Sequence, residues 1–213
     1  MKNSTQKALL PSQIVLIFLF AVMIKNSFLT AQQRIMSLNV RYDNNSDRED
    51  RWDLRKDELC QLLKRVNPDF LGIQEALPRQ VEYMDQQLKE HSFLGFGRDG
   101  KGTDSESVPL FYNTKSYELL NSEVFWMSET PEVPSKGWDA ALNRITTYGV
   151  FLNKKTRDTI HVFNTHFDHR GEKARVNSAH LLVSKLKSLA LLDKKVVLMG
   201  DFNSKPEEIP IQV

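Results

Sequence analysis

Four polar residues, Asn39, Glu75, His166 and Asp201, each stand at or just past the end of a hydrophobic segment, and Asn203 follows the last by two positions. A strand end suits chemistry, because the apolar body fixes the backbone while the tip stays solvated. Taken singly, each has a plainer reading. An Asn after a strand is usually a turn former, Glu75 suits the entry of a helix opening at Pro78, and Asp201 with Asn203 would make a turn. Taken together they form an oxygen-rich set. Glu75, Asp201 and the amide oxygens of Asn39 and Asn203 are donors that a hard cation such as Mg²⁺ or Mn²⁺ accepts, with waters and phosphate oxygens completing its shell. His166 is a poor ligand for Mg²⁺ but a good proton donor, or a cation for developing phosphorane charge.

A zinc reading draws on His166-Phe167-Asp168-His169. Zinc prefers His or Cys at close spacing, and no Cys stands near, so oxygen-ligated chemistry fits better. Tyr112 and Arg144 are candidate phosphate holders, Arg144 through its planar fork. Their plainer readings are a core ring with a wet tip and a surface charge. His91, His161 and His180 lack acidic company and read as packing or surface residues. Cys60, the one cysteine, lies within Leu59-Cys60-Gln61-Leu62-Leu63 and reads as an inert core thiol.

The elements that must position these residues follow from periodicity. Residues 34–40 alternate as a strand. Leu59, Leu62, Leu63 and Val66 fall at helical spacing, predicting a helix over 52–65 that stops at Asn67-Pro68. Residues 69–75 read as a strand with a carboxylate at its end, and a helix opens at Pro78 and runs to about 89. Short strands are expected at 93–96, 108–112, 118–125, 145–152 and 159–164, with loops at 98–107 and 127–142. A helix over 172–191 precedes a buried-type strand at 195–199. Mixed strands and helices point to an α+β layered sandwich.

Composition sets outer bounds. With 213 residues, 40% hydrophobic and 26% charged, the chain fills one core and is too short for two comfortable domains. Lys2 and Lys7 precede an uncharged apolar run at 14–24, which as a helix would reach ~16 Å, about half a bilayer's hydrocarbon core. This reads as a secretory signal peptide over 1–31, cut after Ala31, ahead of one domain over 32–213. A short membrane anchor is the other reading of that run. A secreted or periplasmic protein follows, with no membrane span after cleavage. Losing 1–31 removes Lys2, Lys7 and Lys25 and no acid, so 29 basic residues fall to 26 against 27 acids. Proteins that hold long nucleic acid usually carry a basic excess, so a polymeric nucleic-acid substrate is disfavoured, a local basic groove staying open, and no stable protein partner is predicted.

The ordered pieces Ser37-Leu38-Asn39-Val40, Ile73-Gln74-Glu75, Leu110-Phe111-Tyr112, Ala141-Leu142-Asn143-Arg144-Ile145, Asn164-Thr165-His166-Phe167-Asp168 and Gly200-Asp201-Phe202-Asn203 resemble the endonuclease/exonuclease/phosphatase superfamily, or DNase I-like fold. Trp52, Phe125-Trp126-Met127-Ser128, Gly137-Trp138-Asp139 and Thr165-His166-Phe167-Asp168-His169 look like its secreted bacterial branch. The resemblance implies a four-layer α/β/β/α sandwich and a divalent-metal-dependent phosphodiesterase or phosphatase, and with the near-neutral charge its expected partner is a small phosphoester more than long nucleic acid. In it Glu75 would be the main metal ligand with Asn39 beside it. Asp201 and Asn203 would prepare the attacking water, and His166 would contact the scissile phosphate. Tyr112, Arg144, Asp168 and Glu106 would line the site. Asn143 departs from the branch, which usually has Pro there. Family members also continue past Asp-Phe-Asn to a strand-end Asp-His pair, whereas this sequence ends at Val213. The expectation is therefore a domain lacking its C-terminal part, with lowered activity. A remnant that binds cation or phosphate without turnover, or does not fold, stands as the alternative.

Overall fold

Two parallel strand pairs, each built around a helical crossover, give this fold its functional edge. The computed structural model describes residues 32–213; the signal-peptide expectation lies outside them. Strand β1 (Ile35–Asn39) leads through a short 3-10 segment, Asn45–Asp50, and helix α1 (Trp52–Val66) to β2 (Phe70–Gln74), which pairs with β1 in parallel. A parallel pair requires such a crossover. Helix α2 (Pro78–Gln87) then leads to β3 (His91–Leu94) and β4 (Leu110–Asn113), giving the sheet order β1-β2-β4-β3. The second sheet follows chain order: β5 (Tyr117–Trp126), β6 (Ile145–Asn153), β7 (Thr159–His166) and β8 (Val196–Asp201). Its first three strands are antiparallel, while β8 joins β7 in parallel after helix α3 (Glu172–Ser188). A single turn, α4 (Ile209–Gln212), comes last.

Three apolar layers hold the stack together. Cys60 and Leu63 of α1 and Val81 and Met84 of α2 pack on Leu71 and Ile73 of the first sheet. Between the sheets lie Phe70, Leu110, Tyr117, Phe151, Ile160, Val162 and Met199. Ala179 and Leu182 of α3 cover Tyr148, Phe163 and Phe167 on the far side. This is the four-layer α/β/β/α sandwich. Burial pushes the Cys60 thiol pKa up, as an unreactive core position demands.

Element ends differ from the expectations in instructive ways. Helix α1 ends because Asn67 turns left-handed (φ 45°) and donates its N–H to Leu63 O, a cap that adds to the restriction imposed by Pro68. The apolar run at 195–199 predicts a buried β8. It instead has one partner, β7, and its outer face is partly open, with Leu198 40% exposed while Met199 is 6% exposed. Both β7 and β8 run further than periodicity indicated, ending on His166 and Asp201, which pair directly.

That pairing needs Gly200. Its φ is +153°, and a Cβ there would lie 2.1 Å from Thr165 O. Gly200→Ala is therefore expected to cost about 3 kcal/mol, because the obstacle is backbone and cannot rotate away. Chemical denaturation checks this; a loss below about 0.5 kcal/mol would contradict the close approach.

Candidate active site

Asn39, Glu75, His166 and Asp201 converge where the parallel strands end. Asn39 Nδ2 donates to Glu75 Oε1 at 2.8 Å and to Asp201 Oδ2 at 3.0 Å. Carboxylates from the two different sheets thus meet at one nitrogen. Glu75 lies one residue past β2 with φ +63°, a left-handed conformation uncommon outside glycine and costly by about 1–3 kcal/mol. The turn breaks strand alternation and brings the carboxylate against the end of β1 and the loop after it, where Oε2 accepts from Tyr42 N at 3.2 Å. Asp201 Oδ1 accepts from Asn203 N at 3.0 Å. Asn203 is also left-handed (φ 46°) and is anchored by Nδ2 to Phe167 O at 2.9 Å.

His166 is buried, and Arg144 defines its proton. Arg144 Nη1 stands 3.2 Å from His166 Nδ1 and Nη2 stands 2.8 Å from His169 Nδ1. A guanidinium only donates, so both Nδ1 atoms accept and both imidazoles carry hydrogen on Nε2. His166 Nε2 lies 3.8 Å from Asp201 Oδ2. Arg144 Nε donates to Asp168 Oδ2 at 3.2 Å, and Asp168 Oδ1 accepts from Arg170 N and Gly171 N at 2.9 and 2.8 Å. Burial alone would raise the Asp168 carboxyl pKa; the Gly171 and Arg170 amides and Arg144 instead hold it well below the usual range.

Other expected residues fall into two groups. Glu106 reaches the site because Ser107 N and Oγ both bond Ala76 O, next to Glu75. Glu106 pairs with Arg98 at 2.8 Å and lines a narrow crevice with Arg144 and His166. Asn143, beside Arg144, is tied by Nδ2 to Asp99 Oδ1 at 2.8 Å. Arg144 and Asp168 are 5% and 1% exposed, and Arg144 directs its three nitrogens at protein groups. The expected phosphate fork is thus an organiser of two histidines. Tyr112 is a correction. It pairs with Phe70, at the far end of β2 from Glu75, and packs on Phe151 at 4.9 Å. Ser107, five residues earlier, is the residue that reaches the site, because antiparallel β4 runs away from it at ~3.3 Å per residue. The sequence offers His169 in a zinc motif and in the branch-like stretch 165–169, with no role assigned to it; the His166/His169 spacing is the available signal.

Residues 36–213 match the model of the Endonuclease/Exonuclease/phosphatase family. The chain belongs to this family. Family members are hydrolases of phosphoesters. A mannosyl-6-phosphatase structure from Bacteroides thetaiotaomicron VPI-5482 superposes with a TM-score of 0.81 at 38% identity, covering 85% of this chain and 69% of that one. A protein of Acanthamoeba polyphaga mimivirus is 32% identical over 168 residues, 72% of this chain and 60% of the relative. A probable RNA exonuclease of Saccharomyces cerevisiae is 28% identical over 177 residues, 75% of this chain and 34% of the relative. The chain thus spans about 60% and 34% of the two curated relatives.

The donor set suits a hard divalent cation. Two carboxylates drawn to one point, beside an open cleft of about 640 Å³ bordered by Asn39, Asp201, Asn203 and Lys205, leave room for water and phosphate oxygens. The Asn39 amide turns its hydrogens to both carboxylates and its Oδ1 accepts from Arg41 N at 2.8 Å, so it orients the carboxylates where an oxygen ligand is expected. Among the described residues no group of three or more His, Cys, Asp or Glu could hold a metal. A Mg²⁺-type site needs only one or two protein carboxylates. The same absence gives the zinc alternative no support, and both His Nδ1 atoms already face Arg144. No helix among the described residues is long and apolar enough to cross a membrane.

The family site also carries a pH signature. Burial, then the Arg144 cation, push the His166 pKa down from 6.5 to about 4, against the pull of Asp201 and Glu75. Above pH 6.5 both folded and unfolded chains hold it neutral. Between 6.5 and 4 the unfolded chain takes up a proton that the folded chain refuses, so stability falls. Asp201 and Asp168, held below their usual range, act in the same direction at lower pH. In EDTA the protein is expected to lose on the order of 3 kcal/mol across this window through His166. His166→Gln should flatten the profile, and identical slopes in the two proteins would overturn the assignment.

Proposed function

We propose that this chain is a secreted or periplasmic, divalent-cation-dependent hydrolase of small phosphoesters, with Mg²⁺ or Mn²⁺ as cofactor. One observation carries the reading: Glu75 and Asp201, from different sheets, share the Asn39 amide while the N–H face of His166 stands 3.8 Å from Asp201. Glu75, oriented by the Asn39 amide, would hold the cation, which when bound polarises the phosphoryl group and steadies the leaving oxygen. Asp201, kept ionised by Asn39 and the Asn203 amide, accepts a proton from the attacking water. The water oxygen bonds to phosphorus as the ester P–O bond breaks in line. Neutral His166 donates its Nε2 hydrogen bond to a phosphoryl oxygen as charge builds there. Asp168 and Arg144 fix its ring, and Glu106 with Arg98 borders the substrate's path.

Near balance of acids and bases past residue 31 favours a small substrate over long nucleic acid. The 38% identity to a mannosyl-6-phosphatase favours a sugar phosphate monoester within that class. Secretion rests on Lys2, Lys7 and the apolar run at 14–24. The test is hydrolysis of p-nitrophenyl phosphate, bis-p-nitrophenyl phosphate and hexose 6-phosphates with Mg²⁺, Mn²⁺ or EDTA, in wild type and Glu75→Ala. Cation-dependent turnover that falls at least about 100-fold in Glu75→Ala is the expected result. Equal background rates in both proteins would establish the non-catalytic alternative.

A further inference from the structure

Towards the functional edge the layer between the sheets turns from apolar to polar. Past Val162, and level with Met199 in the β7–β8 register, the facing side chains are Gln74 and Asn164, 1% and 0% exposed. Asn164, from β7, crosses into the other sheet. Its Nδ2 donates to Ile73 O at 2.8 Å and Pro109 O at 2.9 Å, and its Oδ1 accepts from Gln74 Nε2 at 2.7 Å. Gln74 Nε2 also reaches Ser37 Oγ at 3.2 Å. Gly72 makes the crossing possible, since a Cβ there would lie 2.5 Å from Asn164 Oδ1. A side chain of one sheet is thereby bonded to β2 and to the Pro109 carbonyl that precedes β4. Apolar contacts alone are non-directional and fix no such register, whereas these bonds have set lengths and angles.

Both residues adjoin the site. Gln74 immediately precedes Glu75. Asn164 lies two positions before His166 on the same face of β7, whose partner there is Asp201. We infer that the Gln74–Asn164 pair is a spacer that sets the separation of Glu75 from Asp201 and His166 across the two sheets, and so governs cation affinity. The inference rests on the cation-dependent reading above. The physical demand is tight, because oxygen ligands of Mg²⁺-sized ions must sit ~2.0–2.1 Å from the metal in near-ideal geometry. Neither residue touches the reacting atoms; both act by positioning.

The test is Mn²⁺ affinity by electron paramagnetic resonance on the full chain at 25 °C, with melting temperature measured alongside. Gln74→Met removes the shared donor while keeping shape, and Asn164→Asp replaces the Nδ2 donors with a carboxylate oxygen. Val162→Ala weakens the same layer away from the site. Each of the first two is expected to bind Mn²⁺ about 10- to 100-fold more weakly while still folded, as loss of an outer-shell partner does. Val162→Ala should melt earlier with affinity unchanged. Unchanged affinity in Gln74→Met and any folded Asn164→Asp, or an equal drop in Val162→Ala, would overturn the spacer role. Wild type binding Mn²⁺ no better than Glu75→Ala would overturn the cation reading itself, a separate and recognisable outcome.

Discussion

Asp201→Asn is expected to lower turnover of a chromogenic phosphoester by about 10³-fold while leaving the fold intact. The proposed mechanism makes this carboxylate the proton acceptor, and general-base removal typically costs 10²–10⁴-fold. The substitution is nearly isosteric, so Oδ1 can still accept from Asn203 N. The other arm is less forgiving. Asp201 Oδ2 accepts from Asn39 Nδ2, and His166 Nε2–H also faces it. An amide NH₂ there would set donor against donor, and an amide flipped to avoid this would oppose the Asn203 N–H instead. A small rise in mobility of the Asn39 amide should therefore accompany the loss of rate. The measurement is kcat with KM under saturating Mn²⁺, with circular dichroism as the folding control. A variant retaining more than about a tenth of wild-type kcat would remove Asp201 from the proton-accepting role.

Arg144→Met is the second large effect, and it should strike stability and chemistry together. Asp168 is almost wholly buried, and without the guanidinium it keeps only backbone donors, chiefly Arg170 N and Gly171 N. Breaking a buried pair from one side costs about 3–5 kcal/mol, and the surviving amide bonds place this case near the lower end. His166 and His169 would both lose the donor that fixes their tautomer. The His166 pKa should rise towards its ordinary value, because the neighbouring cation that helps depress it is gone. Arg144→Lys should rescue little, since one ammonium cannot span Asp168, His166 and His169. Nitrogen-15 chemical shifts of His166 report the outcome directly: one Nε2–H tautomer in wild type, a mixture in Arg144→Met. A stability change under about 1 kcal/mol with His166 still in one tautomer would refute the organiser role.

These two residues also mark where sequence reading succeeds and where it stops. Asp201 was legible because a hydrophobic strand delivers it and Asn203 follows at a fixed interval. Arg144 was legible as important but not in its task, because its partners Asp168, His166 and His169 lie more than twenty residues away on another strand's exit. Tyr112 misled for a related reason. Its type suits a phosphate, yet only the antiparallel register with Phe70 shows that it faces the opposite end of the sheet. The Gln74–Asn164 bridge carried no local signal, since each residue alone is an ordinary polar side chain in an apolar strand.

The sequence by itself determined the elements, their order, the helical and strand periods and the family, because these follow from short-range patterns of apolar and polar side chains and from ordered motifs. Only the tertiary structure decided which strand ends share an edge. Parallel pairing of β1 with β2 and of β7 with β8 is what gathers Asn39, Glu75, His166 and Asp201 at one end of two sheets. That pairing arises from crossovers and sheet-on-sheet packing, contacts between residues up to 162 positions apart, which no local window of the chain contains.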